Sequence, residues 1–200
     1  MMTAIIFDFG DVLINLNRRQ TQLAFEKLGL QNYENIITSA NDAFEKGTID
    51  ELTFLETFQK HIPNASLSDI KAAWNTILGD FPTYRLDFLK KLSQNYDLYL
   101  LSNTDAIHIA YFESQTPATF VKEFYQCFKK IYFSFDLKMR KPDLEIYQHV
   151  LQDNGLNPKK TLFIDDKKAN TDAAAQLGIS VWNLQVGQED VVSLFEKNLQ

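Results

Sequence analysis

Hydrophobic residues along the chain follow two patterns, one continuous and one periodic. Short continuous apolar runs at 4–7, 98–101 and 161–164 are typical of strands covered on both faces, as in a parallel sheet. Similar short runs predict strands at 131–134 and 180–183. Between most of these runs, apolar residues recur at the three- to four-residue spacing of amphipathic helices. The alternation predicts an α/β fold with a parallel sheet and right-handed crossovers.

Residues 15–82 depart from this alternation, because they carry only the helical pattern. Four helices are predicted there, and each ends at or before a glycine or proline, namely Gly29, Gly47, Pro63 and Gly79. We therefore expect a helical cap domain at 15–82, inserted into a core made of 1–14 and 83–200. The predicted fold class is a Rossmann-like, doubly wound parallel sheet with this α-helical insert.

Two helix starts are predicted from local signals. Thr48 and Glu51 have the spacing of a capping box, with the hydroxyl three positions before the acid, and predict that the third cap helix opens at Thr48. Pro142 suits the first position of a helix that ends near Gly155. The fourth cap helix is predicted to start at Ser66 or Ser68.

Composition narrows the class of protein. The 200 residues are 45% hydrophobic with a formal net charge of −6, and they contain no basic stripe of the kind that binds nucleic acid. Cys127 is the single cysteine, so no internal disulfide can form, which favours a reducing compartment. No apolar run approaches the roughly 20 residues that span a bilayer, and Met1 to Thr3 are too few for a signal peptide. We expect a cytoplasmic monomer that contacts neither nucleic acid nor membrane.

The three clearest predicted strands each end in chemically active residues. Asp8 follows the first, Ser102 follows the second, and Asp165 with Asp166 follows the third. Because ligands bind beyond the carboxyl ends of parallel strands, we expect these side chains to meet at one edge. On its own, the acidic pair also fits a solvated turn or a helix cap.

Three carboxylates at one place favour a metal site. Like charges oppose each other's ionisation unless a cation neutralises them. Oxygen ligands suit Mg²⁺, which shares itself with a substrate phosphate. A carboxylate such as Asp8, placed beside the metal, can attack phosphorus and form an aspartyl-phosphate.

Four motifs in the same order resemble those of the haloacid dehalogenase-like hydrolases. They are FDFGDV at 7–12, LLSN at 100–103, RKPD at 140–143, and FIDD at 163–166 with Asn170. The resemblance covers both ends of the chain, and the helical insert matches the cap of that family. It implies a hydrolase that removes phosphate from a small phosphorylated metabolite, such as a sugar phosphate.

The resemblance also implies roles for individual residues. Asp8 would be the nucleophile, Ser102 and Asn103 would bind the phosphate, and Lys141 would pair with both nucleophile and phosphate. Arg18 or Arg19, at the start of the cap, could bind a halide or a carboxylate, although solvated helix positions explain both better; Arg18 is kept as a candidate substrate-binding residue.

The implied cofactor is Mg²⁺. Its protein ligands would be the side chains of Asp8, Asp165 and Asp166 and the backbone carbonyl oxygen of Gly10. A carbonyl ligand places no demand on the type of residue.

Gly10 departs from the family pattern. Most phosphatases of the family carry a second aspartate there, which serves as general acid and base, and its loss costs on the order of 10²–10⁴ in rate. We do not expect the neighbouring Asp11 to replace it. The glycine, together with FEKGTI at 44–49, resembles the subset that includes α-D-glucose-1-phosphate phosphatases. Substrates with a good leaving group would suffer least.

Two other functions remain open from the sequence. A 2-haloacid dehalogenase of the same fold uses the aspartate nucleophile without a metal, although Asp165 and Asp166 argue against it. A catalytically degenerate member that binds phosphate or a protein partner is favoured by Gly10. His61, His108 and His149 are interpreted as ordinary helix residues, because they lack partners at metal-ligand spacing.

Overall fold

Five parallel strands form one central sheet in the computed structural model, which describes residues 2–196. The strands are β1 (Ala4–Phe7), β2 (Asp97–Ser102), β3 (Lys130–Phe133), β4 (Thr161–Asp165) and β5 (Ser180–Asn183). Their order is β3-β2-β1-β4-β5, so β1 is central. Phe7, the last residue of β1, is in register with Leu100 of β2 and Ile164 of β4. The carboxyl ends of β1, β2 and β4 therefore lie side by side.

Among the residues that the structure describes, ten α-helices surround the sheet or build the insert. Those between β1 and β2 are α1 (Arg18–Lys27), α2 (Tyr33–Glu45), α3 (Glu51–Gln59), α4 (Leu67–Asn75) and α5 (Thr83–Leu92). Those that follow are α6 (Ala106–Gln115), α7 (Ala118–Gln126), α8 (Ser134–Leu137), α9 (Leu144–Asp153) and α10 (Lys168–Gln176), with short 3₁₀ turns at Pro158–Lys160 and Val191–Glu196. The predicted α/β fold with a parallel sheet is confirmed. None of the helices within 2–196 has the length and hydrophobicity needed to cross a membrane.

The sheet is covered by apolar side chains on both faces. Ile5 and Phe7 of β1 belong to the hydrophobic cluster on one face, whereas Ala4 and Ile6 belong to the cluster on the other. This alternation follows from the two-residue period of a strand. It explains why the sequence of β1 is continuously apolar. Helices α1 to α4 have a separate core, which is rich in aromatic residues.

Two short segments of chain connect the helical insert to the sheet, and they run side by side. Leu16 and Leu78 form an antiparallel bridge. The backbone N–H of Gly79 donates to the carbonyl oxygen of Asn15 at 2.8 Å. A Cβ at position 79 would lie 2.7 Å from that same oxygen, so the close approach needs glycine. The domain boundaries predicted after residues 14 and 82 fall close to these segments and stay a prediction.

Two of the predicted helix starts are wrong. Helix α3 is capped by Asp50, whose carboxylate accepts from the Thr53 N–H at 2.8 Å, while the Thr48 hydroxyl donates to the carbonyl oxygen of Ala43. Helix α9 begins at Leu144, because Pro142 lies within a turn that is closed by the Asp143 N–H and the Arg140 carbonyl.

The start of α4 is confirmed at the first of its two candidates. Ser66 caps the helix, and its side chain and that of Asp69 bond reciprocally to each other's backbone N–H groups in a capping box.

Candidate active site

The strand ends bring the predicted acidic residues together. Asp8 follows β1, Asp165 ends β4, and Asp166 is the next residue. One carboxylate oxygen from each of the three lies within 4.8 Å of the others. Parallel pairing in register accounts for this, because β1 and β4 are direct neighbours and end at the same level.

Lys141 lies at the centre of this cluster. Its Nζ donates to Asp8 Oδ1 at 2.7 Å, to Asp165 Oδ2 at 2.7 Å and to the carbonyl oxygen of Leu101 at 2.8 Å. The side chain is only 1% exposed. Asn103 fixes the backbone of this residue, because its amide accepts from the Lys141 N–H and donates to the Lys141 carbonyl. Asn103 thus has a structural contact in addition to its predicted role at the phosphate.

Asp165 and Asp166 differ in how their carboxylates are used. The oxygens of Asp165 accept from the side chains of Lys141 and Asn170 and from the backbone N–H of Lys167. Within 2–196, no hydrogen bond to the Asp166 carboxylate is formed, and Asp166 is half-buried. Asp166 therefore has more capacity left to bind a metal ion than Asp165.

The electrostatics of the cluster fit a divalent cation. Burial raises the pKa of Asp8, and although Lys141 opposes this, the nearby charges of Asp165 and Asp166 bring it to about 7. Burial and the charge of Asp165 also raise the pKa of Asp166. A divalent cation among these oxygens would favour both ionised forms, and oxygen donors are the set that Mg²⁺ prefers.

Position 10 carries no acidic side chain, and Leu16 lies close to it. A Cβ built on Gly10 would lie 2.9 Å from Cδ1 of Leu16, the end of a flexible side chain, so a larger residue needs Leu16 to shift. Asp11 does not fill the role, since its carboxylate accepts from the Leu16 N–H at 2.9 Å and from Arg18 at 2.5 Å. Arg18 also lines the neighbouring cavity, so its predicted contact with substrate stays a prediction.

A cavity of about 300 Å³ lies between the sheet and the helical insert. Gly10, Ser102 and Asn103 line it from the strand ends, and side chains of α1, α2 and α4 line it from the insert. Lys141 lies behind this surface, where it contacts Asp8. The three acids do not line the cavity themselves, but Asp8 and Asp166 are each adjacent in sequence to a lining residue, Phe9 and Lys167. The acidic cluster therefore adjoins a partly open cavity large enough for a small metabolite.

Sequence reasoning missed part of the cavity wall. Asp105, His108 and Trp74 line it. His108 is a helix residue outside the metal-ligand group, as interpreted from the sequence, but its contacts with Asp105 and Trp74 were not predicted. The one local signal was the spacing of Asp105 and His108 at the start of a predicted helix, where the carboxylate caps the His108 N–H. Trp74 comes from the insert, and nothing in the local pattern predicts that it meets them.

Comparison with known proteins agrees with this geometry. The model of the haloacid dehalogenase-like hydrolase family matches residues 2–178. A D-ribitol-5-phosphate phosphatase of Bacteroides thetaiotaomicron is 27% identical, over 94% of this chain and 95% of its own. A sesquiterpene phosphatase of Aspergillus oryzae is 30% identical, over 88% of this chain and 86% of its own.

Crystal structures of a related enzyme of B. thetaiotaomicron are similar over nearly the whole chain. Its aspartate-to-alanine mutant, in complex with magnesium and inorganic phosphate, has a TM-score of 0.88 and 37% identity, covering 98% of this chain and 100% of its own. Its magnesium complex has a TM-score of 0.89 and 40% identity, covering 98% and 99%. The family match, the shared fold and the carboxylate cluster agree, and the chain belongs to the haloacid dehalogenase-like hydrolases.

Proposed function

We propose that this hydrolase is a Mg²⁺-dependent phosphatase that acts on a small phosphorylated polyol or sugar through an aspartyl-phosphate on Asp8. The observation that carries the proposal is the contact of Asp8 with Lys141 inside a cluster of three carboxylates. The phosphatases among the relatives, and the magnesium and phosphate bound by a similar enzyme, support it.

The proposed reaction has two displacements at phosphorus. A carboxylate oxygen of Asp8 forms a bond to phosphorus while the bond to the leaving alcohol breaks, and the alcohol takes its proton from water, because position 10 offers no acid. Water then displaces the Asp8 carboxylate and releases inorganic phosphate. Lys141 holds Asp8 in place and offsets negative charge, and Ser102 donates its hydroxyl hydrogen to a phosphoryl oxygen.

The residues that would hold Mg²⁺ are Asp8, Asp166 and the carbonyl of Gly10, with Asp165 completing the cluster. When bound, the ion supplies positive charge to the phosphoryl oxygens. The contacts of Asp165 with Lys141 and Asn170 favour a supporting role for this residue.

Helix α2 supports a hydroxylated substrate. Five polar residues of this helix line the cavity at helical spacing: Glu34, Thr38, Asn41, Asp42 and Glu45. Most of these groups already have a partner in the chain: the Thr38 hydroxyl donates to the Glu34 carbonyl, Asn41 donates to Glu45, and Arg140 pairs with Asp42 and Glu45. Carboxylate oxygens have room for further donors, so a polyol or sugar can still bond to this wall through its hydroxyl groups. The polar side of the cavity therefore supports a hydroxylated substrate, like that of the D-ribitol-5-phosphate phosphatase.

A substrate panel tests the function. D-ribitol 5-phosphate, α-D-glucose 1-phosphate, a prenyl monophosphate and 2-chloropropionate are each incubated with the enzyme, with Mg²⁺ or with EDTA. We expect phosphate release from the polyol or sugar phosphates with Mg²⁺ alone. Chloride release in EDTA would instead identify a dehalogenase, and phosphate binding without turnover of any compound would identify a degenerate member.

A pair of variants tests the metal site. Asp166→Asn removes a proposed ligand, and Asp172→Asn removes a similar charge from the exposed Asp172 on α10. We expect the first to raise the Mg²⁺ concentration that gives half-maximal activity at least tenfold, and the second to leave it unchanged. An equal change in this Mg²⁺ concentration for both variants would contradict the proposal that Asp166 is a metal ligand. Monomeric state, cytoplasmic location and the absence of nucleic-acid binding stay predictions.

A further inference from the structure

A buried cluster of three side chains joins the helical insert to the sheet domain. Asp105, the N-cap of α6, accepts from Trp74 Nε1 at 3.1 Å and lies 2.9 Å from His108 Nδ1. His108 Nε2 lies 3.1 Å from the backbone carbonyl oxygen of Trp74, and the two rings stack with centroids 4.9 Å apart. Trp74 belongs to α4, so each of these contacts except the Asp105–His108 pair crosses between the two parts of the molecule.

The partners of His108 determine its protonation. Both ring nitrogens face atoms that can only accept, since one is a carboxylate oxygen and the other a carbonyl oxygen. Only the imidazolium can donate to both. Burial acts to lower the pKa of His108, but the charge of Asp105 and the two hydrogen bonds outweigh it and raise the pKa. The pKa of Asp105 is lowered because His108 and Trp74 outweigh its burial.

A charged group from a second packed element also acts on the ring. Glu45 of α2 favours the imidazolium, and Glu45 is itself paired with Arg140 at 2.7 Å. The neutral form of His108 can donate to only one of the two acceptors, so it loses either its bond to Asp105 or its bond to the Trp74 carbonyl. Asp105 is 1% exposed and His108 is 8% exposed, so the bonds lie in a buried part of the cavity wall, where each contributes more than on the surface.

Trp74 transmits this contact to the cavity. Its ring packs edge-on against Tyr33 and Phe54 in the aromatic core of the insert. Trp74 also lines the cavity, beside Asp105 and His108. Asp105 lies three residues after Ser102, the candidate for phosphate binding. The position of the insert's wall over the substrate therefore depends on what holds Trp74.

We propose that Asp105 and the imidazolium of His108 are positioning residues, which hold Trp74 and thereby fix the wall of the cavity that the insert contributes. The inference rests on the proposed phosphatase function only where it predicts a change in KM. The contacts of protonated His108 with Asp105 and Trp74 are complete below the ordinary histidine pKa of about 6.5. They weaken as pH rises through the raised pKa of His108. Above it, substrate binding weakens, whereas the chemistry at Asp8 is not directly affected.

The first test measures the proton on His108 without substrate. The chain has three histidines, and NMR titration of their ring resonances is assigned with His61→Gln and His149→Gln variants, which change histidines outside this cluster. We expect His108 to titrate above the ordinary histidine pKa of about 6.5. A midpoint at or below that value would overturn the proposal. This result does not depend on turnover, so it stands even if no phosphorylated compound is hydrolysed and the proposed function fails.

The second test separates KM from kcat across the pH range for wild type, His108→Gln and the control His61→Gln. We expect KM of the wild type to rise about fivefold through the His108 titration, the factor expected from one hydrogen bond. In His108→Gln the higher KM should be present at all pH values, with kcat within about twofold. A wild-type KM profile equal to that of His108→Gln would overturn the proposal, even with a raised midpoint by NMR. Trp74→Phe, which removes the indole donor, should raise KM in the same direction.

Discussion

Lys141 is the residue whose removal should affect both stability and activity most clearly. Replacing it by methionine keeps a long unbranched side chain and removes the charge. Nζ lies 2.7 Å from carboxylate oxygens of both Asp8 and Asp165, so the change leaves two buried acids facing each other without a cation. The carbonyl oxygen of Leu101 also loses its donor.

The structure sets the size of the effect. Removing one partner of a buried ion pair costs about 3–5 kcal/mol of unfolding free energy, because the remaining charge is neither paired nor hydrated. With a urea m-value of about 2 kcal/mol/M, the unfolding midpoint should fall by about 1.5–2.5 M. Loss of a donor at the reacting phosphoryl group should lower kcat by about 10²–10³.

The pH dependence gives an independent check. Without Lys141, the pKa of Asp8 in the folded state rises further above the ordinary value of 3.8. An acid whose folded pKa is raised destabilises the protein increasingly as pH rises from its unfolded pKa to its folded one. The loss of unfolding free energy caused by Lys141→Met should therefore become smaller as pH is lowered from about 8 to about 5.

Urea unfolding followed by circular dichroism, with Lys90→Met as control, makes the comparison. Lys90 pairs with Glu123 at 2.6 Å on the exposed surface, so its loss should change the midpoint little or not at all. Equal urea unfolding midpoints for Lys141→Met and Lys90→Met would refute the reasoning, because they would show that Lys141 does not stabilise the buried carboxylates.

Three further changes have definite expected outcomes. Asp8→Asn should fold with an unchanged unfolding midpoint or a higher one, yet lose at least about 10³ in phosphate release; retained turnover would exclude Asp8 as nucleophile. Gly10→Asp should gain up to about 10²-fold in phosphate release from substrates with poor leaving groups, because its Cβ meets only the flexible end of Leu16; no gain would show that an acid at this position does not reach the leaving group. Gly79→Ala should destabilise by about 1–3 kcal/mol in thermal unfolding, since its Cβ meets the carbonyl oxygen of Asn15; an unchanged Tm would show that the linkers move apart freely.

The sheet could be predicted because its signals are local. Each strand is a short apolar run, and β5 was predicted with its observed bounds, 180–183. The predicted strand at 131–134 is displaced by one residue, since Ser134 opens the short helix α8. Its hydroxyl exchanges hydrogen bonds with the backbone of Thr104, a contact 30 positions away that no local pattern contains.

The acidic cluster could be predicted for a topological reason. Parallel neighbouring strands end at the same edge, so residues after their carboxyl ends meet without any knowledge of packing. The contact between Asn103 and the backbone of Lys141 does not follow from that rule. It depends on the turn around Pro142, where the helix begins two residues later than predicted.

The far side of the cavity could not be predicted, because it depends on how the insert packs on the sheet domain. Trp74 and His108 lie 34 positions apart and belong to separate hydrophobic patterns.

The capping box predicted at Thr48 is not formed, and the reason is local. The Thr48 hydroxyl donates to the carbonyl oxygen of Ala43 instead, and the Asp50 carboxylate caps the helix.

The pair of adjacent linkers has a consequence for how such enzymes diversify. Because Asn15 and Gly79 are hydrogen-bonded to each other, everything between them leaves and re-enters the sheet domain at one point. A different set of helices with equally close ends can replace this one without moving a strand, provided that it supplies new partners for Arg140, the neighbour of Lys141, in place of Asp42 and Glu45. Exchange of this insert is therefore expected to change substrate preference while the strand ends that carry the proposed catalytic residues keep their positions.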